Sequence, residues 1–396
     1  MIDILVAGAG PVGLALGVQL ARFGLSFRII EKSVEPTPLN ESRALGVHSR
    51  TLEVFEDMGV IAPALEQGMR WHGLNAYSGG KRILHVAFEE LDAPYPYLLT
   101  LPQSRTERIL EARLEELGGR VERGKALASF EQSEEKVTAT LQDASGRTEK
   151  VEARWLVGTD GAHSTVRHGL DLSFEGTAYE ERFVLADVVL SGEIARDESH
   201  TWFSSEGPFL ILPLPDGKAR LLAQVQGDPE PTRAFFAQLL RERGPGPGYE
   251  IREAVWMASF KIHHRLVSHY RKGRVFIAGD ACHIHSPVGG QGMNTGIQDV
   301  YNLSWKLAQA AKGGPDLLDS YELEPERRFF QERSGTQHTL LAVGMKAPAL
   351  AGVKSIHVES SPRHGSGLYL VRPDGYVGFR GTDEKALRAH VARTVG

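Results

Sequence analysis

The chain has 396 residues, and its 45 Lys and Arg set against 50 Asp and Glu leave a net charge of −5. That mildly acidic balance excludes a general attraction for nucleic acid or for an anionic membrane surface. A single cysteine, Cys282, excludes an internal disulfide framework and any multi-cysteine zinc or iron–sulfur site, so a reducing, cytoplasmic setting is expected.

At ~150 residues per domain the length predicts two to three domains. A composition of 41% apolar and 24% charged residues is that of a globular chain. Glycine is over-represented, at 43 of 396 residues against a usual ~7%.

The N-terminal run is apolar but carries Asp3 and is cut by Gly8, Gly10, Pro11 and Gly13. With no basic flank before it, it predicts neither a signal peptide nor a membrane span. Ile2 to Ala7 reads as a buried strand and Gly8–Gly13 as a turn. Pro11 to Phe23 reads as a helix stopped by Gly24, and Leu25 to Glu31 as a second strand. This is a βαβ unit. Helical spacing over Glu41–Met58 predicts a helix, with Asn40 as N-cap and Gly59 as stop. Residues 74–101 hold short strand-like pieces. Gln103 to Leu117 predicts a helix with Ile109, Leu110, Leu114 and Leu117 on one face. Residues 121–130, 135–142 and 149–158 alternate as strands, with a turn at Asp143–Gly146.

From about 174 to 262 the strands Phe183–Ser191, Phe209–Pro213 and Arg220–Gln226 predict a mainly antiparallel sheet inserted into the first fold. The turn Pro215-Asp216-Gly217 and a helix over 232–242 separate them. Arg274–Ala278 is a further buried strand, and Gly292–Ala311 and Leu317–Gln331 are helices. The segment 338–396 shows no clean pattern until Leu368–Phe379, where Pro373-Asp374-Gly375 reads as a hairpin turn.

Three glycine-centred motifs carry the chemistry. Gly8-x-Gly10-x-x-Gly13 follows a strand, opens a helix and has Glu31 closing the next strand, the context a dinucleotide fingerprint requires. Gly8 permits the turn, Gly10 lets backbone approach a pyrophosphate, and Gly13 lets helix and strand pack closely. An acidic Glu31 suits a ribose hydroxyl, hence FAD or NAD better than NADP. The second motif is Gly158-Thr-Asp160-Gly161. The third runs from Gly273 through Gly279-Asp280 to Gly289-Gly290-Gln291-Gly292-Met293-Asn294.

These motifs, in this order, resemble FAD-dependent aromatic hydroxylases, single-component flavoprotein monooxygenases of the p-hydroxybenzoate hydroxylase fold. The resemblance covers about residues 1–335 and includes Arg43, Gln103, Arg265 and Asn302–Leu307. It implies an α/β fold: a Rossmann-like FAD-binding domain with an inserted, mainly antiparallel substrate domain and a short C-terminal extension. The implied division assigns 1–73, 102–173 and 265–337 to FAD binding and the C-terminal helices, 74–101 and 174–264 to the substrate domain, and 338–396 to the extension. The extension resembles a truncated thioredoxin-like domain of the phenol hydroxylase branch, which includes polyketide hydroxylases.

The resemblance also implies roles. Gly8, Gly10, Pro11, Val12, Gly13, Glu31 and Lys32 would hold the ADP half of FAD, and Arg43 and Gln103 the pyrophosphate or ribityl region. Asp160 is linked to FAD and nicotinamide-cofactor binding. Asp280, beside Gly279, would meet a ribityl hydroxyl. Gly290, Gly292, Met293 and Asn294 would lie at a helix N-terminus near the flavin N1–C2 carbonyl. Pro287 would lie near the edge where oxygen reacts. The implied reaction uses NAD(P)H and O2 to hydroxylate a phenolic or polycyclic aromatic substrate through a flavin C4a-hydroperoxide. No side-chain acid or base is singled out.

Other signals read plainly. Cys282 is better explained as a small buried filler than as a redox group. His283 and His285 have no acidic or cysteine cluster beside them in sequence, so no metal is expected. His263-His264-Arg265 fits contacts to a nicotinamide phosphate or an ordinary strand end. Trp202, Phe203 and Phe209 fit an aromatic substrate pocket or simple core packing. The expected partners are an aromatic small molecule and O2, with no nucleic acid, no integral membrane association and a monomer or homodimer. Three alternatives remain: a flavin-dependent halogenase, against which the missing Trp-x-Trp-x-Ile-Pro segment counts; a hydroxylase of quinone-type lipids; and an FAD-binding redox protein without turnover.

Overall fold

The computed structural model describes residues 1–90, 93–284, 289–321, 338–358, 366–372 and 377–395, with backbone alone at 177–180, 262–264 and 358. Its centre is the strand Ile2–Ala7, whose Ile4, Leu5 and Val6 are wholly buried because apolar side chains point to both faces. It pairs in parallel with Thr148–Gly158 on one side and Phe27–Glu31 on the other. Val275–Ile277 extends the sheet beyond the first and Val121–Arg123 beyond the second, both in parallel.

Three helices cover one face: Pro11–Arg22, Gln103–Glu116 and Gln291–Ala311, around a core that includes Leu14, Leu110 and Leu303. The other face packs with the antiparallel strands Lys125–Gln132 and Val137–Asp143, which bury Leu127 and Leu141 with Leu5, Leu156 and Ile277. The first and last of the helices cross closely. A Cβ on Gly296 would lie 2.6 Å from Val12 Cγ2.

One predicted helix is much shorter than its spacing suggested. Residues 41–48 do not join it, and the helix spans Ser49–Met58 with His48 as N-cap. Gly46–Val47 is instead drawn into a small sheet with Leu98–Thr100, and Arg43 takes a left-handed φ of 45°, which a helix cannot contain. Of the predicted Leu317–Gln331 helix, only Leu317–Tyr321 lies among the described residues, with Leu318–Tyr321 as a 3-10 turn.

The second sheet has eight strands in the order His283–Ile284, Glu250–Val267, Phe174–Ser191, Lys218–Val225, Gly207–Pro213, Glu198–Ser204, Gly73–Ser78 and Lys81–Ala87. Only the pairing of Glu198–Ser204 with Gly73–Ser78 is parallel. The turn at Pro215–Gly217 is made by Asp216 and Gly217 with φ of 62° and 71°. Two consecutive left-handed residues match the twist of the flanking strands. The helix Arg233–Arg243 covers one face through Phe236, Leu239 and Leu240, packed on Phe209, Ile211 and Leu221.

A third sheet follows residue 337, in the order Val353–Val358, His338–Val343, Gly367–Val371, Val377–Gly381. Its first two strands are parallel yet joined by 344–352 alone, shorter than the dozen or more residues a parallel crossover ordinarily takes. The helix Glu384–Thr394 covers one face, with Leu387 and Val391 against Leu340 and Leu370. The extension is tied to the core by Gln309 Nε2 donating to the Thr394 carbonyl and by an edge contact of Trp305 with His338. The predicted turn Pro373-Asp374-Gly375 lies outside the described residues.

Candidate functional site

Parallel register brings the three glycine motifs side by side. Ala7 is opposite Gly158, and Gly158 is opposite Ile277, so Gly8, Thr159-Asp160 and Gly279-Asp280 emerge together at the carboxyl edge of the sheet. That edge is where open α/β sheets bind ligands. Thr159 stitches the first two motifs, donating from Oγ1 to the Gly8 carbonyl at 2.8 Å.

The glycines divide by what surrounds them. A Cβ on Gly8 would lie 2.5 Å from the Thr159 carbonyl oxygen, and one on Gly13 would lie 1.9 Å from the Gly8 carbonyl oxygen. Those two are fixed by protein packing. Gly10 has nothing within 4 Å of a built Cβ. It caps the helix Pro11–Arg22 with no side-chain bond, leaving first-turn amides open to an anion. Val12 packs beneath Gly279 and Gly296. Glu31 accepts the Ala9 amide on Oε2 and the Ser33 amide on Oε1, each at 2.9 Å. The carboxylate therefore shapes the turn it serves. Lys32 beside it is exposed.

Asp160 accepts the Val166 amide on Oδ2, but its Oδ1 is buried without a partner. Burial raises its pKa above the usual carboxylate value, against hydrogen bonds from Ser164 and nearby amides. Asp280 reaches solvent yet is surrounded by protein, as befits a residue lining a crevice. Desolvation raises its pKa and His283 opposes the rise. An orphaned carboxylate oxygen and an uncapped helix end facing one crevice are features a hydroxyl-rich, diphosphate ligand satisfies.

The loop 42–48 and the long helix Gln291–Ala311 close the crevice. Gln103 donates from Nε2 to Glu107 Oε1 at 2.8 Å, and its backbone amide is held by the Ser42 and Ala44 carbonyls. Arg43 projects outward and pairs with Glu41 at 2.9 Å. Asn294, only 1% exposed, donates from Nδ2 to the Gly46 and Gly290 carbonyls, each at 2.7 Å. Met293 is buried beside it, and Gly292 faces Asp280. Pro287, His285, and the side chains of His263 and His264 lie outside the described residues.

A model of the FAD binding domain family matches residues 1–333. The chain belongs to this family. It is 40% identical over 331 residues to the 6-methylpretetramide 4-monooxygenase of Streptomyces rimosus, covering 81% of this chain and 58% of that protein. The chain thus spans less than three fifths of that relative's length. It is 31% identical to a flavin-dependent monooxygenase of Mycobacteroides abscessus, over 99% of this chain and 100% of the relative. Among solved structures it is similar to the anhydrotetracycline hydroxylase OxyS of Streptomyces rimosus, with a TM-score of 0.81, 26% identity and coverage of 99% and 98%. The fold is that of p-hydroxybenzoate hydroxylase-like FAD proteins, and the crevice lies at the sheet edge where such α/β folds take their ligand.

Three of its supports were not picked out from sequence. Ser42, Asp187 and Arg220 form a buried cluster. Arg220 donates from Nε to Asp187 Oδ1 at 2.8 Å, from Nη1 to the Arg43 carbonyl and from Nη2 to Ser42 Oγ, each at 2.5 Å. Ser42 Oγ also bonds Asp187. The one available signal was a charge inside the apolar run Val184–Leu190. The cluster shows which sheet face meets the loop 42–48 beside the crevice. Phe183, Leu185 and Asp187 share that face, with Leu222, Leu210, Trp256 and Phe260.

Phe209 does not lie there. It is fully buried under the helix Arg233–Arg243, and Trp202 packs in the same layer, stacked on Tyr77 with centroids 4.9 Å apart. Alternation along their strands turns both side chains to the helix-covered face, where they pack in the core, the second of the two readings left open from sequence. Phe203 is half exposed near the hairpin.

Cys282 is buried, and burial pushes its thiol pKa well up, which fits a filler and not a nucleophile. His283 does have an acidic neighbour, contrary to the sequence expectation. Its Nε2 lies 2.6 Å from Asp299 Oδ2, and that oxygen also accepts the Gly279 amide at 3.0 Å. Ligand atoms of Cys282, His283 and Asp299 lie within 4.8 Å of one another. Because the carboxylate is committed to an amide and an imidazole, the group acts as a brace beneath Gly279-Asp280. Burial works against charge on His283, but the Asp299 hydrogen bond, the Asp299 and Asp280 charges and a backbone hydrogen bond together outweigh it and raise the pKa. No helix among the described residues is long and apolar enough to cross a membrane.

Proposed function

We propose that the chain is an FAD-dependent monooxygenase that uses NAD(P)H and O2 to hydroxylate a phenolic or polycyclic aromatic compound. The observation that supports this reading best is the Ser42–Asp187–Arg220 cluster, which ties an apolar sheet face to the loop 42–48 beside the crevice. FAD, when bound, supplies electron transfer and oxygen activation. The chain's part is to bind, orient and exclude water.

The amides of the helix Pro11–Arg22 and the Glu31 carboxylate hold the ADP half, with Pro11, Val12 and Lys32 beside them. Arg43, Gln103 and Asp160 hold the middle of the cofactor, and Asp280, next to Gly279, accepts from a ribityl hydroxyl. Gly290, Gly292, Met293 and Asn294 would present a helix N-terminus to the flavin, where its partial positive charge would favour negative charge. Pro287 is assigned by resemblance to the oxygen-reacting edge. Phe183, Leu185, Leu222, Trp256 and Phe260 form the dry wall on which an aromatic substrate lies flat. The domain division anticipated from sequence is retained, with the cradle built from segments 1–73, 102–173 and 265–337. A cytoplasmic enzyme acting as a monomer or homodimer completes the reading.

The test is anaerobic. Purified protein is mixed with NADPH or NADH, and bleaching of the flavin absorbance is followed with phenols, naphthoquinones and polycycles. Acceleration by one compound class, followed by hydroxylated product in air, is the expected result. Flavin present but indifferent to every ligand, with no product in air, overturns the hydroxylase reading in favour of a redox protein without turnover.

A further inference from the structure

We propose that His48 is a positioning residue that locks the turn opening the helix Gln291–Ala311 and so sets the slot for the flavin ring. The proposal rests on the FAD-cradle reading above.

The lock is a closed set of hydrogen bonds between segments 246 positions apart. The His48 amide donates to Asn294 Oδ1 at 2.9 Å. Asn294 Nδ2 donates back to the Gly46 carbonyl and to the Gly290 carbonyl. The His48 imidazole completes the set, with Nε2 at 2.8 Å from the Gly289 carbonyl oxygen. A carbonyl only accepts, so Nε2 carries the proton.

The turn needs this external hold. Gly289 and Gly290 have φ of 87° and 63°, a left-handed pair that glycine enters readily and leaves as readily. Neither has a side chain with which to fix itself. Gly290 is the N-cap of the helix and supplies no side-chain cap. The direction of the helix's first amides therefore depends on where the turn is pinned. Asn294 pins Gly290 from within the helix, whereas His48 alone among the described side chains ties Gly289 to the opposite wall. His48 reaches it from an extended N-cap position, φ −79° and ψ 159°, which projects the ring across the crevice.

The experiment compares His48→Leu and His48→Gln with the parent protein. FAD is stripped and titrated back, and the flavin spectrum and midpoint potential are read in the reconstituted proteins. His48→Leu is expected to bind FAD about tenfold more weakly, the factor that one hydrogen bond's net contribution supplies. Its midpoint potential is expected to fall, because misaimed amides stabilise the reduced ring less. Thermal unfolding of the apoprotein should stay cooperative, with its midpoint lowered by about 2–4 °C at most. His48→Gln, whose amide can donate to the same carbonyl, should recover both readouts. Parent-like affinity and potential in His48→Leu overturn the proposal. So does a His48→Gln protein as impaired as His48→Leu, since the donor would then be irrelevant. A parent protein that takes up no FAD sinks the cradle reading itself, an outcome distinct from either.

Discussion

Asp187 and Arg220 lie 2.8 Å apart with side chains only 4% and 7% exposed, on neighbouring strands of the inserted sheet. Their pair reaches past its own sheet to Ser42 and to the Arg43 carbonyl. Removing one partner strands a buried charge, which costs about 3–5 kcal/mol. Asp187→Ala should lower unfolding free energy by that order in urea and loosen FAD retention with it. A loss below about 1 kcal/mol, the range of exposed pairs, would show that water screens the pair.

Two glycines of the first motif separate packing from binding. Gly13→Ala forces a Cβ onto the Gly8 carbonyl and should unfold the motif together with FAD binding. Gly10→Ala meets no protein atom, so stability should stay within about 0.5 kcal/mol of the parent. FAD affinity should nonetheless fall on the order of tenfold or more, because the methyl enters the space of the pyrophosphate. Calorimetry of the apoprotein and FAD titration check the two halves. Equal FAD affinity in Gly10→Ala would move the pyrophosphate elsewhere.

Asp280→Ala removes the acceptor at the strand end. The protein should purify with little flavin, measured as the ratio of visible to ultraviolet absorbance. A mutant carrying full flavin counts against the ribityl assignment.

The His283–Asp299 brace gives a pH dependence of defined sign. The His283 pKa is raised above its ordinary 6.5. Stability from the pair is fully present below 6.5 and is lost as pH rises through the raised value. Asp299→Asn should flatten that decline, and thermal midpoints measured from pH 6 to 9 would reveal it. Parallel curves for parent and variant would mean that the imidazole does not titrate there.

The two aromatic layers of the inserted sheet should answer differently to truncation. Phe209→Ala opens a cavity under the helix and should cost about 3–5 kcal/mol. Phe260→Ala should mainly weaken the effect of an aromatic ligand on flavin reduction. Reversed behaviour would put the substrate on the helix-covered face.

The glycine turns of the crevice were legible because their determinants are local. A strand, a glycine turn and a helix start within a dozen residues, and Ile2–Ala7 and the long helix lie where their patterns placed them. The wall of the pocket was not legible. Whether Phe209 or Phe260 shares the face of the Asp187–Arg220 pair depends on strand parity and on which face the helix Arg233–Arg243 covers, and neither is written in the residues themselves. Residues 41–48 misled for a related reason. Their helical spacing is genuine, but pairing with Leu98–Thr100 and the left-handed Arg43 override it, and both are long-range effects.

The order of the central sheet also bears on how the chain is made. Ile2–Ala7 is made before its sheet partners: one of its two neighbours, Thr148–Gly158, follows over a hundred residues later, and Val275–Ile277 later still. At ~5–20 residues per second, that leaves the nascent apolar strand with an open edge for on the order of ten seconds or more. The strand that leads into the first glycine turn thus gains its full set of partners only late in synthesis.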